Sequence, residues 1–400
     1  MSDFFDRLRP AALNAWRIIL GFTFFTHGGQ KLMGWFGREA VGEIMSLRGM
    51  AGILEFFGGL ALLLGGAEAL VRGASRLATA LRISPLVIGL TVVAFGTSSP
   101  ELAASLASIR TSPGDLALGN VVGSNIFNVL FILGLAALLS PLTVHRRLVR
   151  LDVPIMITVA TVPLLLATDG VIARAEGVAL VVILVAYLGF LIWEARREGS
   201  ASPATERGRP SRLAGAALLA LAGLGMLTIG AGWLVDGASA IARRFGVSEL
   251  VIGLTLVAAG TSLPELATSL VAAVRGQRDM AVGNVVGSNI FNILAVLGIS
   301  GAFSPAGLLV AGSARSFDLP IMLAVSVACL PVFFTRLSID RWEGGLFVLV
   351  YVFYLGQLYA ASRAAESPSP VWLIAALLGG ASVIAVLQLR RKPDSVARSR

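Results

Sequence analysis

Residues 86–135 read LVIGLTVVAFGTSSPELAASLASIRTSPGDLALGNVVGSNIFNVLFILGL, and residues 250–299 read LVIGLTLVAAGTSLPELATSLVAAVRGQRDMAVGNVVGSNIFNILAVLGI. A shift of 164 positions aligns the two stretches without a gap, and 32 of the 50 paired positions are identical. Repetition at this level indicates an architecture built from two copies of one unit. In each copy, Gly, Thr, Ser, Pro, Asn and one Glu interrupt apolar helical sequence. In lipid, such breaks must line a cavity or be buried in protein.

The composition of the chain indicates a polytopic membrane protein. Of its 400 residues, 56% are apolar and only 14% are charged, and the mean hydropathy is +0.84. The net charge of +9 does not predict a nucleic-acid partner, because the basic residues fall in short loops between apolar stretches and act as a topology signal. The single cysteine, Cys329, excludes a disulfide framework or a Cys-rich metal site. We expect no resident cofactor and no enzymatic activity.

Twelve apolar stretches are long enough to cross about 30 Å of hydrocarbon. They fall at residues 11–33, 51–71, 85–109, 114–140, 151–168, 172–193, 212–235, 249–274, 279–303, 318–334, 343–361 and 370–389. With the N-terminus in the cytoplasm, 23 of the 32 Lys and Arg residues lie on the inner side. This asymmetry predicts that both termini are cytoplasmic, and we expect the protein in a prokaryotic inner membrane.

The two copies belong to two larger halves. The same offset of 164 aligns GGLALLLGGAEALVRGAS from residue 58 with AGLGMLTIGAGWLVDGAS from residue 222. Equivalent stretches are five spans apart, an odd number, so the halves enter the membrane in opposite orientations, as in many secondary transporters. The expected fold is an all-α polytopic membrane protein with two inverted five-helix repeats and one extra helix at each end. The predicted segments are residues 1–50 (extra helix and loop), 51–195 (first repeat), 196–211 (cytoplasmic linker), 212–361 (second repeat) and 362–400 (extra helix and basic tail).

The repeated motifs carry a set of oxygen-bearing side chains. Thr97 and Glu101 stand four residues apart on one helix face, with Ser98 beside them. Pro100 cannot donate a backbone hydrogen bond, so it releases carbonyl groups in the preceding turn, which we expect to include that of Ala94. The next span and the second half extend the set with Ser124, Asn128, Thr261, Ser262, Glu265, Ser288 and Asn292.

These groups predict a site for hard cations. Hydroxyl, amide, carbonyl and carboxylate oxygens, without nitrogen or sulfur ligands, suit Ca²⁺ and Na⁺ and not zinc or copper. Glu101 and Glu265 are the only acidic residues central to a predicted span in both halves. Two ionised carboxylates in apolar surroundings are costly unless compensated. One Ca²⁺ or two Na⁺ would balance them, and this equivalence is a physical basis for exchange.

Packing is the competing explanation for several of these residues. The Gly119/Gly123 and Gly283/Gly287 pairs have the spacing of helix-packing motifs, and Ser, Thr and Asn can bond within helices. Other charged residues have simpler interpretations. Glu68 precedes Arg72 by one turn and is expected to pair with it. Asp152 and Asp318 begin predicted spans and are interpreted as helix N-caps.

The motifs GTSSPE at 96–101, GTSLPE at 260–265 and GNVVGSNIFN at 119–128 and 283–292 resemble those of the sodium/calcium exchanger family, over residues 58–361. The resemblance implies two inverted five-helix halves that bind Ca²⁺ and Na⁺ near the membrane midplane and exchange them by alternating access. By position, it also implies ligands from the Ala94 and Ala258 carbonyls and from Thr255. Some members have Asp where this chain has Asn292, so the number of cations bound and any potassium co-transport stay open.

The first fifty residues have a different resemblance. Residues 17–37, RIILGFTFFTHGGQKLMGWFG, are similar to the opening helix of DoxX-type membrane proteins. We interpret them as an appended segment.

Three alternatives to Na⁺-driven exchange remain at this point. Proton-coupled cation exchange is possible because the two glutamates could carry H⁺. A passive cation channel would also use broken helices and oxygen ligands. An intramembrane hydrolase is disfavoured, since the sequence lacks paired membrane Asp residues, a Ser/His arrangement and an HExxH motif.

Overall fold

The computed structural model describes residues 47–109, 115–199, 210–245, 258–364 and 370–380, except residues 372 and 376. The chain divides into two compact units, Met1–Gly58 with Trp233–Leu256 and Gly59–Gly232 with Val257–Arg400. The predicted first span, the DoxX-like segment, Thr255, most of the linker and the basic tail lie outside the described residues.

The first half contains helices and two short strands. They are α1 (Leu47–Leu81), α2 (Pro85–Ile88), α3 (Ala94–Thr97), α4 (Ser99–Ser108), α5 (Asp115–Phe127), α6 (Gly134–Leu139), β1 (Leu142–Thr143), α7 (Val153–Leu166), β2 (Val171–Ile172) and α8 (Arg174–Gly199). Three π-helical segments, Gly89–Val93, Asn128–Leu133 and Leu148–Asp152, and one 3₁₀ turn, Ala167–Asp169, connect parts of these helices.

The second half repeats this order. Its elements are α9 (Pro210–Arg244), α10 (Ala258–Gly260), α11 (Leu263–Val274), α12 (Arg278–Phe291), α13 (Gly298–Phe303), β3 (Leu308–Leu309), α14 (Leu319–Arg336), β4 (Ser338–Ile339) and α15 (Arg341–Ala364). Its π-helical segments are Asn292–Leu297 and Ala314–Asp318. The π-helical segment at 292–297 lies 164 residues after the one at 128–133. The two halves therefore repeat this departure from α-helical geometry as well as the sequence.

Within the described residues, nine helices are long and apolar enough to cross a membrane, and Leu263–Val274 is a shorter apolar helix. The predicted all-α architecture is therefore confirmed. The helices α1 and α9 are longer than predicted, at 35 residues each. At 1.5 Å per residue, such a helix is about 52 Å long, and it extends well beyond the hydrocarbon that set the predicted length.

The predicted helix caps at Asp152 and Asp318 are wrong. Both residues have helical backbone angles and make no capping bond with their side chains, because a π-helical turn already precedes each of them. Asp152 is fully buried and lies 3.9 Å from the Arg147 Nε atom. Asp318 accepts a hydrogen bond of 3.0 Å from the Tyr354 hydroxyl.

The two halves interlock within the larger unit. A Cβ atom added to Gly344 of α15 would lie 2.5 Å from the Gly134 carbonyl oxygen of α6. In the mirrored contact, Gly177 of α8 lies against Gly298 and Gly301 of α13. The antiparallel strand pairs also join the halves, β1 with β4 and β2 with β3. The last helix of each half thus packs against a helix of the other half.

Candidate functional site

A break in the helix places a glutamate in each half. Ser98 separates α3 from α4 with φ −82° and ψ 4°, and Ser262 precedes α11 with φ −90° and ψ 6°. In each half, a proline is the second residue of the helix that follows, and the glutamate is the third. Glu101 and Glu265 therefore lie in the first turn of a helix, where the helix dipole stabilises negative charge.

Each glutamate is bonded by a serine from the opposite half. Both carboxyl groups are fully buried. The Ser98 hydroxyl donates to Glu265 Oε1 and the Ser262 hydroxyl donates to Glu101 Oε1, each at 3.1 Å. The two crossed bonds bring both carboxyl groups into one buried polar cluster. Ser124 is in the same group, since its Oγ atom lies 3.0 Å from that of Ser262.

Several buried oxygens around the glutamates have no hydrogen-bond partner among the described residues. Leaving a buried acceptor unpaired costs about 1–3 kcal/mol, and more for a charged group. A cation is a natural partner for such oxygens, and a set made only of oxygens suits Ca²⁺ or Na⁺. These atoms are Oε2 of Glu101 and Glu265, Oδ1 of Asn128 and Asn292, and Oγ of Ser288.

Thr97 and Thr261 each contact an asparagine of the opposite half. The Thr97 hydroxyl donates to Asn284 Oδ1 and the Thr261 hydroxyl donates to Asn120 Oδ1, each at 3.3 Å. Asn120 in turn donates to the backbone carbonyl of Glu101 at 3.2 Å. These contacts lie next to the helix break that precedes each glutamate and help to stabilise it.

Four residues outside the predicted ligand set join this network. Asn120 also donates to Ser105 Oγ at 3.1 Å, and Asn284 donates to Ser269 Oγ at 2.9 Å. The signal for Ser105 and Ser269 was present in the sequence, since they are identical residues 164 positions apart inside the repeat. We infer that they hold the two asparagines in place.

Asn125 and Asn289 link the halves at the middle of the repeat. Asn128 Nδ2 donates to Asn289 Oδ1, and Asn292 Nδ2 donates to Asn125 Oδ1, each at 3.1 Å. The Nδ2 groups of Asn125 and Asn289 donate to each other's backbone carbonyl, at 3.2 Å and 3.5 Å. All four amide groups are buried.

The expected carbonyl ligands differ between the halves. The expected release of the Ala94 carbonyl is wrong, because this carbonyl accepts from the Ser98 N–H at 3.0 Å and from the Thr97 hydroxyl at 3.4 Å, and the helix break begins after it. In the second half, the Ser262 N–H donates to the carbonyl of Ala259 at 3.1 Å. Ala258 begins α10. Liganding by the Ala94 and Ala258 carbonyls and by Thr255 stays a prediction.

Glu68 is paired, as its sequence context predicted. Its carboxylate contacts Arg72 one turn on and lies 2.8 Å from the Arg275 Nε and Nη2 atoms. Arg275 directly follows α11, so this ion pair joins the two halves. Among the described residues, no group of three or more His, Cys, Asp or Glu could hold a metal ion. The candidate site therefore depends on two carboxylates and neutral oxygens.

The chain matches a family model and several known proteins. Residues 51–193 and 215–360 match the family model described as sodium/calcium exchanger protein. The chain is 38% identical over 312 residues to the putative antiporter CaxA of Alkalimonas amylolytica, and the match covers 76% of this chain and 97% of CaxA. It is 36% identical to the sodium/calcium exchanger MaX1 of Methanosarcina acetivorans, with 75% and 96% covered.

Further similarities extend to a bacterial membrane protein and a solved structure. The inner membrane protein YrbG of Escherichia coli is 39% identical over 309 residues, with 75% of this chain and 94% of that protein covered. The structure of the sodium/calcium exchanger from Methanococcus jannaschii superposes with a TM-score of 0.67 at 34% identity. That match covers 77% of this chain and 98% of the exchanger chain. Residues 17–37 lie outside the part of the chain that matches the family model, and their DoxX-like character stays a prediction.

Proposed function

Because this chain belongs to the sodium/calcium exchanger family, we propose that it is a secondary active antiporter that exchanges Ca²⁺ for Na⁺ by alternating access. The family consists of integral membrane transporters, and the nine apolar helices of the described residues agree with that class. The naming of YrbG as an inner membrane protein supports a location in a prokaryotic inner membrane. Both termini are proposed to lie in the cytoplasm.

One observation carries the proposal. Two fully buried glutamates, one from each half, each accept a bond from a serine of the other half and keep one oxygen unpaired among the described residues. Two unit charges about 4 Å apart repel by about 4 kcal/mol at an effective dielectric constant near 20. An empty pair of ionised glutamates is therefore unfavourable, and a cation load relieves it.

Charge balance then explains why two different loads alternate. One Ca²⁺ and two Na⁺ each carry two positive charges, so each can neutralise the two glutamates. We propose that either load permits the transition between the two sides of the membrane, whereas the empty, doubly charged site opposes it. Inverted repeats supply two related conformations around a shared site, which is the basis of alternating access in other secondary transporters.

The proposed ligands lie near the membrane midplane, and both halves contribute to them. Carboxylates bind the cation directly, hydroxyl groups and amide oxygens complete its shell, and the carbonyls of the residues before each helix break are proposed as further ligands. Ca²⁺ takes six to eight such oxygens. The proposed set is Thr97, Ser98, Glu101, Ser124, Asn128 and the Ala94 carbonyl, with Thr261, Ser262, Glu265, Ser288, Asn292, the Ala258 carbonyl and Thr255.

The test is Ca²⁺ uptake by proteoliposomes loaded with Na⁺, with pH clamped on both sides. We expect uptake that depends on the outward Na⁺ gradient and proceeds against a Ca²⁺ gradient. Glu101→Gln and Glu265→Gln should each abolish it, because the remaining single charge no longer balances Ca²⁺. Glu176→Gln is the matched control: Glu176 also lies in the first turn of a helix, but it bonds the backbone N–H of Ala173 outside the site.

The same assay separates the alternatives. Uptake that ignores Na⁺ and follows an imposed pH gradient would replace the Na⁺ proposal with proton-coupled exchange. Flux that only runs down the Ca²⁺ gradient would indicate a passive channel. Normal flux in Glu101→Gln or Glu265→Gln would remove that glutamate from the mechanism.

A further inference from the structure

The side-chain amides of Asn128 and Asn292 are buried, and each has a hydrogen-bond acceptor, Oδ1, and a donor, the Nδ2 group. The oxygen and the NH₂ group of a side-chain amide are similar in size, but only the oxygen can bind a cation. In both residues the Nδ2 group donates a bond of 3.1 Å, and the Oδ1 atom has no partner among the described residues. Because the two ends point to opposite edges of a planar group, the bond to Nδ2 determines where Oδ1 is presented.

The acceptors of these bonds are themselves held in one orientation. Asn289 Nδ2 contacts the Asn125 carbonyl at 3.5 Å and Met156 Sδ at 3.7 Å. In the mirrored arrangement, Asn125 Nδ2 contacts the Asn289 carbonyl at 3.2 Å and Met322 Sδ at 3.6 Å. In both residues, the two atoms that contact Nδ2 can only accept, which fixes the orientation of the amide. The Oδ1 atoms of Asn125 and Asn289 therefore face Asn292 and Asn128 and accept their hydrogen bonds.

Turning the Asn128 amide by 180° would therefore place its oxygen against the oxygen of Asn289. Two facing acceptors repel, and the buried NH₂ group would lose its partner, which costs about 1–3 kcal/mol. The same holds for Asn292 against Asn125. Each orienting residue belongs to the opposite half from the amide that it orients.

We propose that Asn125 and Asn289 are positioning residues that make Asn292 and Asn128, respectively, present oxygen and not NH₂ to the transported cation. The proposal rests on the proposed function, because it assigns the unpaired amide oxygens to the cation shell. It explains why each repeat needs a second asparagine three residues before the ligand. The sequence SNIFN supplies both on one helix.

Simple packing makes a different prediction. If Asn289 only stabilises the helix contact, its replacement should harm the protein equally, whichever residue stands at position 128. If Asn289 orients Asn128, its replacement should matter only while position 128 has two unlike ends. An aspartate has oxygen at both ends of its carboxylate and needs no orientation.

The experiment therefore tests, in the full-length protein, whether an aspartate at a ligand position rescues the loss of the asparagine that orients it. Asn289→Leu keeps the branching at Cγ and the number of side-chain heavy atoms, with larger methyl ends, and removes the acceptor. Ca²⁺ binding by titration calorimetry and ⁴⁵Ca²⁺ uptake by proteoliposomes are measured for Asn289→Leu alone and combined with Asn128→Asp or Asn292→Asp. We expect Asn289→Leu to raise the KM for Ca²⁺ by about tenfold with a smaller change in kcat.

The two double variants decide the matter. Asn128→Asp with Asn289→Leu should bind Ca²⁺ at least as tightly as Asn128→Asp alone, because Asn289→Leu also removes the acceptor that faces the new carboxylate, whereas Asn292→Asp with Asn289→Leu should keep the defect. The mirrored set, Asn125→Leu rescued by Asn292→Asp and not by Asn128→Asp, is an independent repeat if one variant folds poorly. Rescue that is absent, or equal for both aspartates, would overturn the positioning role.

The proposed exchange function is tested by a separate measurement. It depends on the unmodified protein, whose Na⁺-driven Ca²⁺ uptake is measured in the same preparation. Loss of Na⁺ dependence there would contradict the exchange proposal, whereas a failed rescue with normal exchange would contradict only the role of Asn125 and Asn289.

Discussion

At the scale of single residues, each glutamate of the candidate site accepts a hydrogen bond from a serine of the other half. Ser98 bonds Glu265 and Ser262 bonds Glu101 at the same distance of 3.1 Å. A hydroxyl that donates to a carboxylate steadies it while leaving the second carboxylate oxygen available. The charge of each half is therefore positioned by its partner, and neither half holds a complete site.

Replacing either serine should weaken cation binding by a similar amount. Hydrogen bonds to charged groups contribute about 1.5–3 kcal/mol, so Ser98→Ala and Ser262→Ala should each raise the KM for Ca²⁺ by about 10- to 100-fold. Ser99→Ala is the control, because the exposed Ser99 hydroxyl donates to the Phe95 carbonyl of α3 and not to a glutamate. Concentration-dependent ⁴⁵Ca²⁺ uptake measures the effect, and an unchanged KM in both variants would contradict it.

At the scale of elements, glycines let the two repeated segments approach closely. A Cβ atom on Gly287 of α12 would lie 2.9 Å from the Leu90 Cα and carbonyl oxygen atoms and 2.8 Å from the Ala94 Cβ atom. Backbone atoms at that distance cannot move aside as a flexible side chain can. The packing interpretation of the Gly283 and Gly287 pair therefore holds, and this packing lies next to α3, where the helix break begins.

Gly287→Ala should consequently destabilise the protein. Overpacking of a filled core costs about 1–3 kcal/mol, which outweighs the gain of about 0.5–1 kcal/mol expected for alanine over glycine in a helix. Gly189→Ala is the matched control, since Gly189 lies in α8 and an added Cβ meets no described atom within 4 Å. Thermal unfolding in detergent should show a lower Tm for Gly287→Ala only. Equal Tm values for the two variants would disprove the close contact.

At the scale of the whole molecule, helix contacts, strand pairs and an ion pair join the two halves. The α8–α13 and α15–α6 contacts, the two strand pairs and the bond between Glu68 and Arg275 all join one half to the other. Every contact described for the candidate site lies within residues 59–232 and 257–380. The exchanger family model begins at residue 51 and ends at residue 360.

We therefore expect that residues 47–364 are sufficient for transport. The relatives support this, because 97% of CaxA is matched by only 76% of this chain. A protein shortened to these residues should insert in the membrane and take up Ca²⁺ under a Na⁺ gradient, since both glutamates and their partners remain. Uptake by the shortened protein relative to the full chain is the measurement. Insertion without uptake would show that the terminal segments take part in the transport cycle.

Much of the fold was predictable because the membrane imposes it. Long apolar stretches, an offset of 164 residues and an odd number of spans per half predicted inverted helical repeats, and this architecture is confirmed, as is the exchanger family. The predicted caps at Asp152 and Asp318 failed because a π-helical turn extends each helix toward its N-terminus. A hydropathy profile cannot detect such a turn, because a π-helical turn changes the backbone hydrogen bonds and not the amino-acid composition.

By itself, the sequence identified the side chains of the candidate site, because a glutamate, serines and asparagines repeated inside apolar helices have few physical explanations other than a shared polar site. Only the tertiary structure decided how they pair. It joined Ser98 to Glu265, Ser262 to Glu101 and each orienting asparagine to the amide of the other half. A repeat states which positions are equivalent, but hydrogen bonds are short and directional, so their partners depend on the distances between atoms that folding brings together.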